Sequence, residues 1–211
     1  MLALALVLPG AGCLAPVVQR SDFGDPVEGA FQKVAVVPFH PWPAAAQAGQ
    51  GVGGPPPDAP PIVATFFAAA LADRGVEVIP PEAFAAALGL EVEPLQRMDP
   101  AFLARFARDR FGATSILVGR VLRYRDRTAV GTRPSVAFEV TVHLTPMGVP
   151  LTTLRFDETQ SGISERPSNM LRLPGSGTRW LTPVELSQWG AESSAEALVT
   201  GPPAPEAEET E

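Results

Sequence analysis

The sequence contains one cysteine, Cys13, one lysine, Lys33, and two histidines, His40 and His143. A single cysteine excludes disulfides within the chain, paired redox thiols and zinc sites built on CxxC. Neither histidine belongs to an HExxH pair, and no serine sits in a GxSxG elbow, since Gly175-Ser176-Gly177 reads as a loop tripeptide. No acidic calcium loop or phosphate loop occurs. Asp157 and Glu158 are adjacent, so on a strand they point to opposite faces and cannot share a substrate. Beyond the first dozen residues no run approaches the roughly 18 apolar residues of a membrane-spanning helix. Basic excess is also missing. The net charge is −7, and removing the four acids of the last six residues (Glu206, Glu208, Glu209, Glu211) leaves −3, which argues against a nucleic-acid partner. These absences predict a protein that is not an enzyme and has no cofactor and no metal.

What is present describes a globular chain. Hydrophobic residues make up 45% and charged residues 18%, and 211 residues suit one compact domain with tails. Residues 1–12 end in the apolar run LALALVLPGAG and are signal-like, with small residues immediately before Cys13. A cysteine at that boundary resembles a bacterial lipoprotein signal, which implies that Cys13 carries acyl chains, palmitate among them, and becomes the mature N-terminus. The lack of Lys or Arg before the run is explained most simply by a start further upstream. Leu14 after the cysteine resembles the pattern of lipoproteins sent to the outer membrane. Residues 13–31 show no periodicity and are expected to be the lipid-anchored tether.

The domain is predicted to span 32–200. Lys33–Phe39 (KVAVVPF) is a β-branched run whose continuous apolarity predicts a strand buried on both faces, stopping near Pro38. Residues 40–60, rich in Pro, Gly and Ala, predict a flexible loop. Within it Gly49–Gly54 matches GxGxxG formally, but the required tight strand-to-helix turn is absent and three prolines follow. A helix is predicted from Pro61 to Gly75, a short strand at Val76–Ile79, a short helix at Pro81–Leu88 and a third helix from Asp99-Pro100 to Gly112.

Residues 114–160 predict three consecutive antiparallel strands. In the middle one, Val136, Phe138, Val140, Val142 and Leu144 alternate with Ala137, Glu139, Thr141, His143 and Thr145, giving one apolar and one mostly polar face. After a loop at 162–181, the capping box Thr182-Pro183-Val184-Glu185 opens a last helix to about Thr200, and the acidic tail 201–211 follows. The expected fold class is α/β: a mixed sheet in the order β-α-β-α-α-β-β-β-α, with helices packed on it and a C-terminal antiparallel three-strand unit.

One charged constellation carries candidate chemistry. Arg123, Arg125 and Arg127 alternate along the first long strand, with Arg120 and Arg133 nearby. Three guanidinium groups on one face can bind carboxylates or phosphates bidentately. They can equally pair with Glu139, Asp157 or Glu158 across the sheet, or protect an edge strand.

In order, the lipoprotein-type cysteine, KVAVVPF, LADRGVEVIP, FARDRFGATSILVGRVLRYRD and VAFEVTVHLTPMGVPL resemble the superfamily of envelope lipoproteins that includes curli-secretion CsgG and LpoB-type activators of penicillin-binding proteins. Thr114 stands where that group has Asp in its Phe-Gly-Ala-Asp motif, and Met147–Leu151 lacks the tryptophan of its turn. The resemblance covers about residues 31–162. It implies a non-enzymatic periplasmic role: an adaptor or assembly lipoprotein, anchored in the outer membrane through Cys13 and binding an envelope protein or peptidoglycan. Two alternatives stay open, a self-assembling outer-membrane secretion component and a peptidoglycan- or small-ligand-binding module.

Overall fold

The computed structural model describes residues 17–42, 54–89, 98–127, 132–161, 174 and 179–201. Cys13, the signal-like segment 1–12, the GxGxxG stretch apart from Gly54, and nearly all of the 162–181 loop and the acidic tail lie outside the described residues. Among the described residues no helix is long and apolar enough to cross a membrane.

Among the described residues seven strands form one mixed sheet. They are β1 (Val18–Asp22), β2 (Lys33–Val36), β3 (His40–Pro41), β4 (Glu77–Ile79), β5 (Ser115–Arg125), β6 (Ser135–Leu144) and β7 (Val149–Thr159). The order across the sheet is β1-β7-β6-β5-β2-β4, with β3 pairing β5 beyond the end of β2. The pairs of β2 with β4 and with β5 are parallel, whereas β5–β6, β6–β7 and β1–β7 are antiparallel. The predicted mixed sheet with its antiparallel three-strand unit is therefore present, enlarged by β1 and β3.

The helices among the described residues are α1 (Ala59–Ala72), α2 (Pro81–Leu88), α3 (Pro100–Phe111) and α4 (Pro183–Thr200). Local chemistry sets their ends. The Asp99 carboxylate accepts the Ala101 N–H at the start of α3, and Gly112 closes it in the left-handed conformation. Thr182 and Glu185 form a reciprocal capping box at the start of α4.

Two cores lie on opposite sides of the sheet. On one side α1 and α4 cover Val34, Val36, Leu117, Val121, Phe138, Val140, Leu154 and Phe156. An aromatic series crosses this core: Phe39 to Phe67 at 5.6 Å between centroids, Phe67 to Phe138 at 5.4 Å, Phe138 to Phe156 at 5.0 Å and Phe156 to Trp189 at 5.5 Å. On the other side α2 and α3 pack on Ala35, Val37, Ile79 and Ile116. Residues of β2 therefore alternate between the two cores, which is why its sequence is apolar without interruption.

Three sequence expectations need correction. Residues 18–31 are not tether: β1 is an edge strand laid on β7, with Val18 opposite Phe156 and Asp22 opposite Thr152. The strand at 33–39 does not end the pairing at Pro38. Pro38 offers no N–H, but β3 resumes beside β5, with His40 opposite Arg120. In the gap Phe39 lays its ring over Gly119, where an added Cβ would lie 2.4 Å from the ring. The helix expected at Pro61 starts at Ala59, so Pro60 and Pro61 both fall in its first turn.

Candidate functional site

α2 and α3 cover the β4, β2, early β5 and late β6 part of their side of the sheet, mainly through Ala35, Val37, Ile79 and Ile116. Further along β5 the same side is an open groove of about 330 Å3, lined among the described residues by Trp42 and by residues of β5, β6 and β7. Its polar lining follows from strand periodicity: on β6 and β7, Phe138, Val140, Leu154 and Phe156 point to the helices, so Glu139, Arg155 and Asp157 point away.

Ladder register arranges these side chains in rungs. The first rung runs across five strands: Gln19, Arg155, Glu139, Arg120 and His40. The second holds Asp157, Ala137 and Arg123, and the third Thr159, Ser135 and Arg125. Arg120 and Arg123 share a face although they are three apart in sequence, because a bulge between Val121 and Arg123 adds one residue to β5.

The charges are partly matched. Arg120 donates to the Glu139 carboxylate at 2.6 Å and lies over the Trp42 ring, 3.9 Å from its centroid. Arg123 donates to Asp157 at 2.5 Å and to the Thr159 hydroxyl at 3.1 Å. Arg155 reaches the other oxygen of Asp157 at 3.1 Å. Arg125 lines the groove with no hydrogen-bond or ion-pair partner among the described residues. The Nε atoms of Arg120 and Arg123 are buried without a hydrogen bond. Among the described residues, four guanidinium groups thus face two carboxylates, leaving two positive charges in excess and a set of unused N–H donors. Such donors suit a carboxylate or phosphate.

The predicted residues divide accordingly. Arg123 and Arg125 stand together in the groove, and Arg123 makes one of the cross-strand pairs foreseen as its alternative. Arg127 leaves the row: β5 ends at Arg125, and Arg127 stacks over Trp180, 4.8 Å from the ring centroid. Arg155 was not foreseen, although Arg155 and Asp157 alternate with Leu154 and Phe156 along β7. Glu158 is on the opposite side, 2% exposed. Arg133 and Ser161 flank the ends of β6 and β7, and the Arg133 guanidinium lies 3.4 Å from the Ser161 hydroxyl.

The histidines have local explanations. Burial lowers the His40 pKa from its ordinary value, and the neighbouring Arg120 charge lowers it further. Burial also lowers that of His143, partly opposed by its hydrogen bond to the Gly148 carbonyl across the β6–β7 turn. Among the described residues no three of His, Cys, Asp and Glu converge in a metal-binding arrangement.

A second groove, about 790 Å3, lies at the carboxyl ends of β2 and β4 against the first turns of α1 and α2. Open α/β sheets hold anions at such helix N-termini. Here Pro60, Pro61, Pro80 and Pro81 occupy those turns and remove N–H donors, so the groove is apolar.

No protein-family model matches the chain, and no curated protein matches it. Among solved structures, the PelC dodecamer from Paraburkholderia phytofirmans is similar at 17% identity and a TM-score of 0.44, over 83% of this chain and 96% of that one. Its L103M form matches over the same shares at 19% and 0.45. Lipoprotein GNA1162 from Neisseria meningitidis is similar at 13% and 0.39, over 68% of this chain and 99% of that one. Likenesses at this level leave the activity of this chain to be argued from its own residues.

Proposed function

We propose that this chain is a non-enzymatic adaptor of the cell envelope, held at the outer membrane by acylated Cys13 and receiving an anionic partner on the arginine groove of β5–β7. The observation that supports the binding role is the charge imbalance of that groove. Carboxylates facing the groove satisfy only part of its guanidinium donors, and Arg125 has no partner among the described residues. A groove built only for stability would have little reason to keep two like charges in excess on one sheet face, where neighbouring like charges repel. The location rests on the cysteine and the small residues before it.

Gln19 is exposed and stands on the same rung as Arg155, which makes it a site for a photo-crosslinking side chain that leaves the arginines intact. In cells, the reading expects an adduct of discrete mass, lost when Arg125→Glu and Arg155→Glu are introduced together. Arg155 is about half exposed, so that pair of changes leaves the core alone. An adduct unchanged by the double reversal would overturn the reading.

A further inference from the structure

The strand next to the arginine groove is also the strand closest to the anchor. Only Leu14, Ala15, Pro16 and Val17 separate Cys13 from Val18, the first residue of β1. Five residue steps, fully extended, span at most about 17 Å. Val18 lies opposite Phe156, between the β7 residues Arg155 and Asp157 that form one wall of the groove, and Gln19 pairs with Arg155 itself. From β1 to β5 is three ladder spacings, about 14 Å. Arg125 lies a further three residues along the sheet, about 10 Å, so with Cys13 acylated the backbone of every groove arginine is held within roughly 35 Å of the bilayer surface, close to the diameter of a small domain. A tether reaching to residue 31 would have permitted far greater excursions.

From this we infer that the groove's partner is an acidic protein segment displayed at the membrane surface itself, as on the periplasmic rim of a membrane-embedded protein, and not one deep in the periplasm. The inference rests on the adaptor reading and names the kind of partner it takes. The charge pattern favours a peptide over the lipid phosphates of the same surface. Glu139 and Asp157 stand among the arginines, with side chains 22% and 37% exposed. A continuous plane of phosphates would set negative charge against both. A linear acidic segment can place its carboxylates over Arg125 and Arg155 and pass between those two.

The test uses the full-length, membrane-anchored protein with the Gln19 crosslinker and two changes. One is the Arg125→Glu, Arg155→Glu pair. The other inserts twenty Gly/Ser residues between Ala15 and Pro16, leaving the groove and β1 intact. Lengthening the link from about 5 to about 25 residues lowers the effective concentration of the domain at a membrane-fixed site by about elevenfold, from the −3/2 power of length. The expected result is a roughly tenfold slower initial rate of protein adduct formation in the insertion variant, and loss of the adduct in the charge-reversal variant. If charge reversal abolishes capture but insertion leaves its rate unchanged, the adaptor reading stands and the membrane-surface partner is overturned. If charge reversal has no effect, the adaptor reading itself fails. Phospholipid as the charge-dependent adduct would overturn the acidic-peptide assignment in favour of headgroups.

Discussion

Replacing Gly119 by alanine tests how the interrupted β2–β3 strand is built into the core. The added methyl would lie 2.4–2.5 Å from three ring atoms of Phe39, where ordinary contact begins at 3.4 Å. The ring would have to retreat by about 1 Å. Phe39 is 1% exposed and its ring meets Phe67 of α1 at 5.6 Å, so the retreat presses on α1. Overpacking of this kind costs about 1–3 kcal/mol, and 2 kcal/mol corresponds to a fall of about 4–8 °C in Tm for a domain of this size. Phe39→Ala alone should cost about 3–5 kcal/mol through the cavity it leaves. In the double variant the methyl has no ring to meet and fills part of the void, so the two changes should be non-additive by about 1–3 kcal/mol. Urea unfolding of the four proteins measures this coupling directly. Costs that add within about 0.5 kcal/mol would refute the contact between Phe39 and Gly119.

Two further outcomes follow from the same structure. Burial lowers the pKa of both His40 and His143 in the folded state, while the unfolded chain titrates them near 6.5. Below that pH the unfolded state binds protons that the folded state refuses, so stability should fall from pH 7.5 to pH 5.5. The slope should flatten in His40→Gln or His143→Gln, as measured by urea midpoints, and an unchanged slope in both would contradict the assignment. Glu139→Gln removes one of the two carboxylates facing the groove. The part-exposed Arg120–Glu139 pair contributes no more than about 1 kcal/mol, so stability should change little. Partner capture should become stronger and more sensitive to salt, and weaker capture would contradict the electrostatic account.

Much of the fold was legible because burial imposes a pattern. Val136, Phe138, Val140 and Val142 mark a strand covered on one side, Val34–Val37 one covered on both, and Thr182 with Glu185 a helix start. β1 was not legible. Of its five residues only Val18 is buried, and the strand is held by its backbone ladder to β7, which no side-chain pattern reports. The arginine row was half legible. Counting by twos from Arg123 correctly reaches Arg125, but it runs past the end of β5 to Arg127 and places Arg120 on the wrong face. The apolar doublet Val121-Leu122 breaks the alternation and was the available sign of the bulge.

Charge exchange between the groove and its captured partner tests the central claim most directly. Arg125→Glu with Arg155→Glu should abolish the Gln19 adduct, and reversing the acids of the partner segment to arginine should restore it in that background while abolishing it with the unaltered groove. Capture indifferent to the sign of either surface would contradict the claim that the arginine face of this sheet recognises its partner by charge.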